Sequence, residues 1–222
     1  MEVNKLQKWL IAEKITEKND LTPLVNRLKN ISHDEKIKTR VKTITPTNTN
    51  GYSPTPYQVA IIDFEGSPVI FLGILILDTL FTFYVENHED LDIFHLFIVE
   101  VLHEIHQLTF FSFSNYEQKE ILSISSTLIE KGYDLKKFEY LENLTVVNLQ
   151  KEKFESLTEA LLSSGNFTFT GDPLFRNIKL VNKLFITKKF DDIVSHNHMC
   201  LLNESVILER WVKMYYLSRG GD

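Results

Sequence analysis

The run Val59-Ala60-Ile61-Ile62-Asp63-Phe64-Glu65-Gly66 closes one of the most apolar stretches of the chain on two acids. A buried strand rarely tolerates unpaired charge, because desolvating a lone carboxylate costs several kcal/mol. Along a strand, residues i and i+2 face the same way. Asp63 and Glu65 would therefore stand side by side and repel. A cation between them removes the conflict, and oxygen donors suit a hard divalent ion such as Mg²⁺ or Mn²⁺.

The chain has 222 residues, 43% of them hydrophobic, enough for one sizeable core and a small extension. No apolar run reaches the roughly 18 uncharged residues of a membrane helix. Val69–Leu77 has the length of a strand and meets Asp78 at once. The first residues carry no signal-peptide core. A single cysteine, Cys200, excludes an internal disulfide framework and fits a reducing cytoplasm. The expectation is a soluble, cytoplasmic protein. The net charge of −6 is uneven: residues 1–54 hold ten Lys/Arg against six Asp/Glu, and residues 55–222 hold fourteen against twenty-four. A net acidic globule argues against a nonspecific DNA coat. It is compatible with acids gathered at a metal site and a basic arm that helps to hold a polyanion.

Leu6, Trp9, Leu10 and Ile15 trace a helical stripe over residues 3–17, and a second helix is expected over 21–31, with Asp20 as N-cap and Pro23 in the first turn. Residues 43–56 are rich in Thr, Asn and Pro, the composition of a linker. The boundary falls there: a helical N-terminal arm and linker over 1–54, and a main domain over 55–222. In that domain strands are predicted at 57–63, 69–77 and 80–86, a helix at 90–107, a strand at 108–114, a helix at 116–131 and a strand at 144–149. Helical stretches follow near 152–163, 173–185 and 199–217. The class is α/β, with a five-stranded sheet flanked by helices.

The order β-β-β-α-β-α-β resembles the ribonuclease H-like fold, whose sheet is mixed. The Asp63-Phe64-Glu65-Gly66 motif on its first strand is similar to the opening motif of the 3′–5′ exonuclease superfamily of that fold (the DnaQ-like or DEDD enzymes). In that family four acids from three motifs bind two metal ions. The segment Phe111-Ser112-Phe113-Ser114-Asn115-Tyr116-Glu117 resembles the second motif, in the Ser-x-Tyr-Glu form of a prokaryotic subgroup of predicted exonucleases. Glu117 is then the third metal-site acid. On the bottom-up reading, Glu117 also suits a helix N-terminus through the macrodipole, with Ser114 or Asn115 as cap.

The third motif in one branch of the family places a histidine five residues before a final aspartate. His198-Met199-Cys200-Leu201-Leu202-Asn203 reproduces the spacing but ends in Asn, with Glu204 next to it. The resemblance implies Mg²⁺ or Mn²⁺ held by Asp63, Glu65, Glu117 and the Asn203/Glu204 region, with His198 as general base and Phe64 and Tyr116 placed to touch a nucleotide. It implies hydrolysis of phosphodiester bonds from the 3′ end of single-stranded nucleic acid, DNA before RNA. A homodimer is compatible with the sequence, and no membrane partner is expected. Asn203 supplies no charge, so the alternative is a decayed site on a nucleic-acid-binding or assembly module. Zinc is not expected at His196-Asn197-His198-Met199-Cys200, because no Cys or His pair elsewhere completes a tetrahedral set.

Overall fold

The computed structural model describes residues 20–44, 58–135, 140–150, 156–163, 174 and 180–217. The helix expected over 3–17 and nearly all of the linker lie outside them. The described elements are α1 (Thr22–Lys29), β1 (Ile37–Thr43), β2 (Val59–Glu65), β3 (Phe71–Ile76), β4 (Thr79–Val85) and α2 (Leu91–Glu104). There follow β5 (Thr109–Ser112), α3 (Tyr116–Glu130), α4 (Tyr140–Asn143), β6 (Val146–Asn148), α5 (Leu157–Ser163), α6 (Val181–Ile186) and α7 (Phe190–Leu217).

One mixed sheet runs in the order β1-β4-β3-β2-β5-β6. β1 to β2 pair antiparallel through β4 and β3, whereas β5 lies parallel to β2 and β6 parallel to β5. β2 is thus the strand at which the sheet changes from antiparallel to parallel. Helices cover both faces, and every residue of β2 is buried. This is why β2 reads as a continuous apolar run rather than an alternating one. The alternation survives in the packing. Ala60, Ile62 and Phe64 join the core built with α1, α2 and α3. Val59 and Ile61 join the core on the other face, with Leu201, Leu208 and Val212 of α7. Asp63 and Glu65 continue the second series and point toward α7.

Two sequence expectations are corrected. The sheet has six strands, not five, and the extra strand is β1, inside the segment expected to be a helical arm. Only Ile37 of β1 is buried, and Lys38, Thr39, Arg40, Lys42 and Thr43 leave no apolar alternation to read. β1 holds its place by pairing seven residues with β4. Its charges suit an edge that must not recruit another strand. The last helix also starts at Phe190, nine residues before the expected 199, with Asp191 and Asp192 in its first turn, where the helix dipole favours acids. Among the described residues no helix is long and apolar enough to cross a membrane.

Ile62 is fully buried in the centre of the sheet, so Ile62→Ala should cost about 2–5 kcal/mol in urea denaturation. Val41→Ala on β1, at a side chain 41% exposed, should stay within about 0.5 kcal/mol.

Candidate metal centre

Four acids from three segments of the chain are buried near the carboxyl ends of β2 and β5. Asp63 and Glu65 come from β2, Glu117 from the first turn of α3, and Glu204 from the middle of α7; all four are buried. The carboxyl edge of adjacent parallel strands is the common ligand position in open α/β sheets. Here β2 delivers its acids there because the chain turns away at Gly66 (φ 91°), where a Cβ would stand 2.5 Å from Ile70 Cγ1.

Local contacts aim each acid. Ser114, one residue ahead of the N-cap Asn115, accepts the Tyr116 N–H at 3.1 Å, and its hydroxyl reaches Glu117 Oε2 at 3.5 Å, which orients the acid. The Tyr116 hydroxyl donates to the Gly66 carbonyl at 2.6 Å, which ties the start of α3 to the end of β2. Asn197 of α7 donates through Nδ2 to Asp63 Oδ2 at 2.7 Å and accepts from the Thr82 hydroxyl at 3.3 Å. Asp63, Gly73 and Thr82 are level on β2, β3 and β4, so the Asn197 amide lies across three strands. Gly73 makes this possible: a Cβ there would sit 2.1 Å from Asn197 Oδ1.

The electrostatics are those of crowded like charges. Burial, then the charge of Glu117, holds the Asp63 carboxyl well above the usual range, against the hydrogen bonds of Asn197 and Glu65. Burial pushes Glu117 up to about 7, although its own and the Phe64 backbone amides and the Ser112 and Ser114 hydroxyls oppose it. Burial raises Glu204 well above its ordinary value, followed by the charges of Asp63 and Glu117; the Phe113 amide opposes, and the charge of Glu65 adds to the rise. Glu204 Oε2 is buried without a hydrogen-bond partner. Carboxylate oxygens with unused lone pairs and mutually repelling charges are the donor set of a hard divalent cation. The all-oxygen chemistry of these acids is of the kind Mg²⁺ or Mn²⁺ prefers, while among the described residues the one group whose ligand atoms lie close enough together to share an ion is Glu65, His196 and Cys200.

The structure sorts the remaining candidates. Of the Asn203/Glu204 pair, Glu204 is the one whose carboxyl meets the other acids. Asn203 is nearly buried on the same helix and makes no hydrogen bond to them. His198 is not brought to the acids: it lies about 200° around α7 from His196. Burial and then the nearby Lys42 charge lower it to about 4, and its Nε2 is buried without a hydrogen bond. The histidine at the site is His196, with Nε2 3.4 Å from Glu65 Oε1. Phe64 is also corrected. It is 3% exposed within the core on the face opposite the acids, where no nucleotide reaches it. Tyr116 stays half-buried beside Glu117.

Sequence reasoning missed His196, Asn197, Thr82 and Gly73. Asn197 and Glu204 are seven residues apart, two turns on one helix face, but that spacing is usable only if the helix begins before residue 199.

Raised carboxyl values make folding proton-linked. Asp63, Glu117 and Glu204 bind protons more tightly in the folded chain. The metal-free protein should thus be most stable below a carboxylate's ordinary pKa of about 4 and lose stability as pH rises through about 7. Mg²⁺ should raise Tm more above pH ~7 than below pH ~5, because the ion replaces the protons. Thermal melts across that range check both signs. Gly73→Ala should lower Tm and weaken the Mg²⁺ response together, as Asn197 is displaced from Asp63.

No protein-family model matches the chain, and neither a curated protein nor a solved structure is significantly similar to it.

Proposed function

We propose that this chain is a divalent-cation-dependent nuclease of ribonuclease H-like fold. It removes nucleotides from the 3′ end of single-stranded DNA. One observation carries the reading: Asp63, Glu65, Glu117 and Glu204, from β2, α3 and α7, are all buried and near enough for the charges of Asp63, Glu117 and Glu65 to raise the Glu204 carboxyl. The sequence departs from the resembled third motif at Asn203, and the buried Glu204, whose carboxyl is raised by Asp63 and Glu117, supports its taking that place. The order of elements from β2 to β6 is compatible with the fold that the resemblance implies.

Asp63, Glu65, Glu117 and Glu204 are the residues that would hold Mg²⁺ or Mn²⁺. Such ions, when bound, supply activation of water for in-line attack and charge stabilisation at the leaving oxygen. The chain's own groups do the rest. Asn197 fixes the rotamer of Asp63 from the side opposite the strand end, and Ser114 does the same for Glu117. The Tyr116–Gly66 hydrogen bond keeps the two acid-bearing segments at constant separation. Such fixed donors need no reorganisation during the reaction. His198 takes no part in proton transfer, since it faces the Lys42 side of α7.

The test is release of nucleotides from 3′-labelled single-stranded DNA with Mn²⁺. Asp63→Ala and Glu204→Gln should each lower the rate at least about 100-fold. Asn203→Ala should stay close to the parent rate. Circular single-stranded DNA should persist, because an exonuclease needs an end. Digestion unchanged by Asp63→Ala would overturn the assignment.

A further inference from the structure

His196 and Cys200 are four residues apart on α7, one helical turn, so their side chains share a face. Cys200 Sγ lies 3.7 Å from His196 Nε2, and the same Nε2 lies 3.4 Å from Glu65 Oε1. The three ligand atoms of Glu65, His196 and Cys200 all fall within 4.8 Å of one another. His196 and Glu65 are buried, and Cys200 is partly open.

The Nε2–Oε1 and Nε2–Sγ separations are close to those between ligands on a tetrahedral zinc ion. With Zn–N and Zn–O near 2.1 Å and Zn–S near 2.3 Å, nitrogen and oxygen ligands stand about 3.4 Å apart, and nitrogen and sulfur about 3.6 Å. The charges also match. A carboxylate and a thiolate neutralise a dipositive ion, and imidazole adds a neutral donor, so the loaded triad adds no net charge to a buried site. Mg²⁺ and Mn²⁺ favour oxygen, whereas thiolate and imidazole favour zinc.

We propose that Glu65, His196 and Cys200 form a second cation site, selective for thiophilic ions of the Zn²⁺ class, which shares Glu65 with the carboxylate cluster. Three protein ligands leave the fourth position to water. On binding, the Cys200 thiol gives its proton to solvent and its sulfur becomes a thiolate ligand. Glu65 then cannot serve a hard cation in full, so zinc inhibits. The inhibition rests on the nuclease reading of the cluster; the zinc site itself does not.

The experiment uses the full chain, stripped of metal and kept reduced. Cys200 is its only cysteine, so a thiol-alkylating reagent reads this site alone. Zn²⁺ should slow alkylation at least about tenfold, and Mg²⁺ should not. Co²⁺ should produce a sulfur-to-cobalt charge-transfer band in the parent chain that is absent in Cys200→Ser. Alkylation unchanged by Zn²⁺, with no cobalt band, overturns the site. In the Mn²⁺-dependent cleavage assay Zn²⁺ should inhibit the parent, and Cys200→Ser should need at least about tenfold more zinc. Zinc that binds without inhibiting overturns the sharing of Glu65. A chain that cleaves nothing fails the nuclease reading, while alkylation and cobalt still decide the site.

Discussion

Four carboxyl groups cannot all be ionised inside one buried pocket. Each is desolvated, and each feels the others through a medium that screens poorly, so protonation or a cation must relieve the repulsion. The packing of this protein accommodates that conflict. β2 is sealed on both faces, α7 lies across its acids, and α3 begins at the one place from which Glu117 reaches them. A hydrophobic core alone would not favour this arrangement. The surrounding apolar contacts stabilise it, and the raised carboxyls make its stability depend on protons.

Asn197 is the residue that turns a cluster of acids into an ordered site. Its amide donates to Asp63 and accepts from Thr82, and this bonding leaves neither end of a buried amide unsatisfied. The Gly73 position gives it room, so three strands and one helix are registered against each other by a single side chain. The opposite side of the same helix carries His198, which feels the Lys42 charge instead. The side of α7 a residue occupies thus decides its chemistry more than its residue type does.

In the two proposed sites, hard and soft cations would compete for one residue. Glu65 stands between the acid group and the His196–Cys200 pair, and its carboxylate is a donor common to both. Zinc was not expected from the sequence because no Cys or His pair elsewhere completes a tetrahedral set; the proposed site instead takes a carboxylate, Glu65 of β2, 131 residues before His196.

Much of the architecture was legible because local patterns are strong where both faces of a strand are covered. The apolar runs of β2, β3 and β4, the periodicity of α2, and the Ser-x-x-Glu start of α3 each carry their structure in a few neighbouring residues. Asp63, Glu65 and Glu117 stood out for the same reason: charge in an apolar context has to be accounted for. β1 was not legible, since a charged edge strand has no apolar alternation and is defined by its partner. Local sequence alone was enough to place two acids at the end of an apolar strand and a third at the start of a helix. Packing set the rest: Glu204, rather than Asn203, lies among these acids, and His196, rather than His198, faces Glu65. The reason is geometric: those choices depend on where α7 begins and how it is rotated against the sheet, which is set by packing across the whole chain.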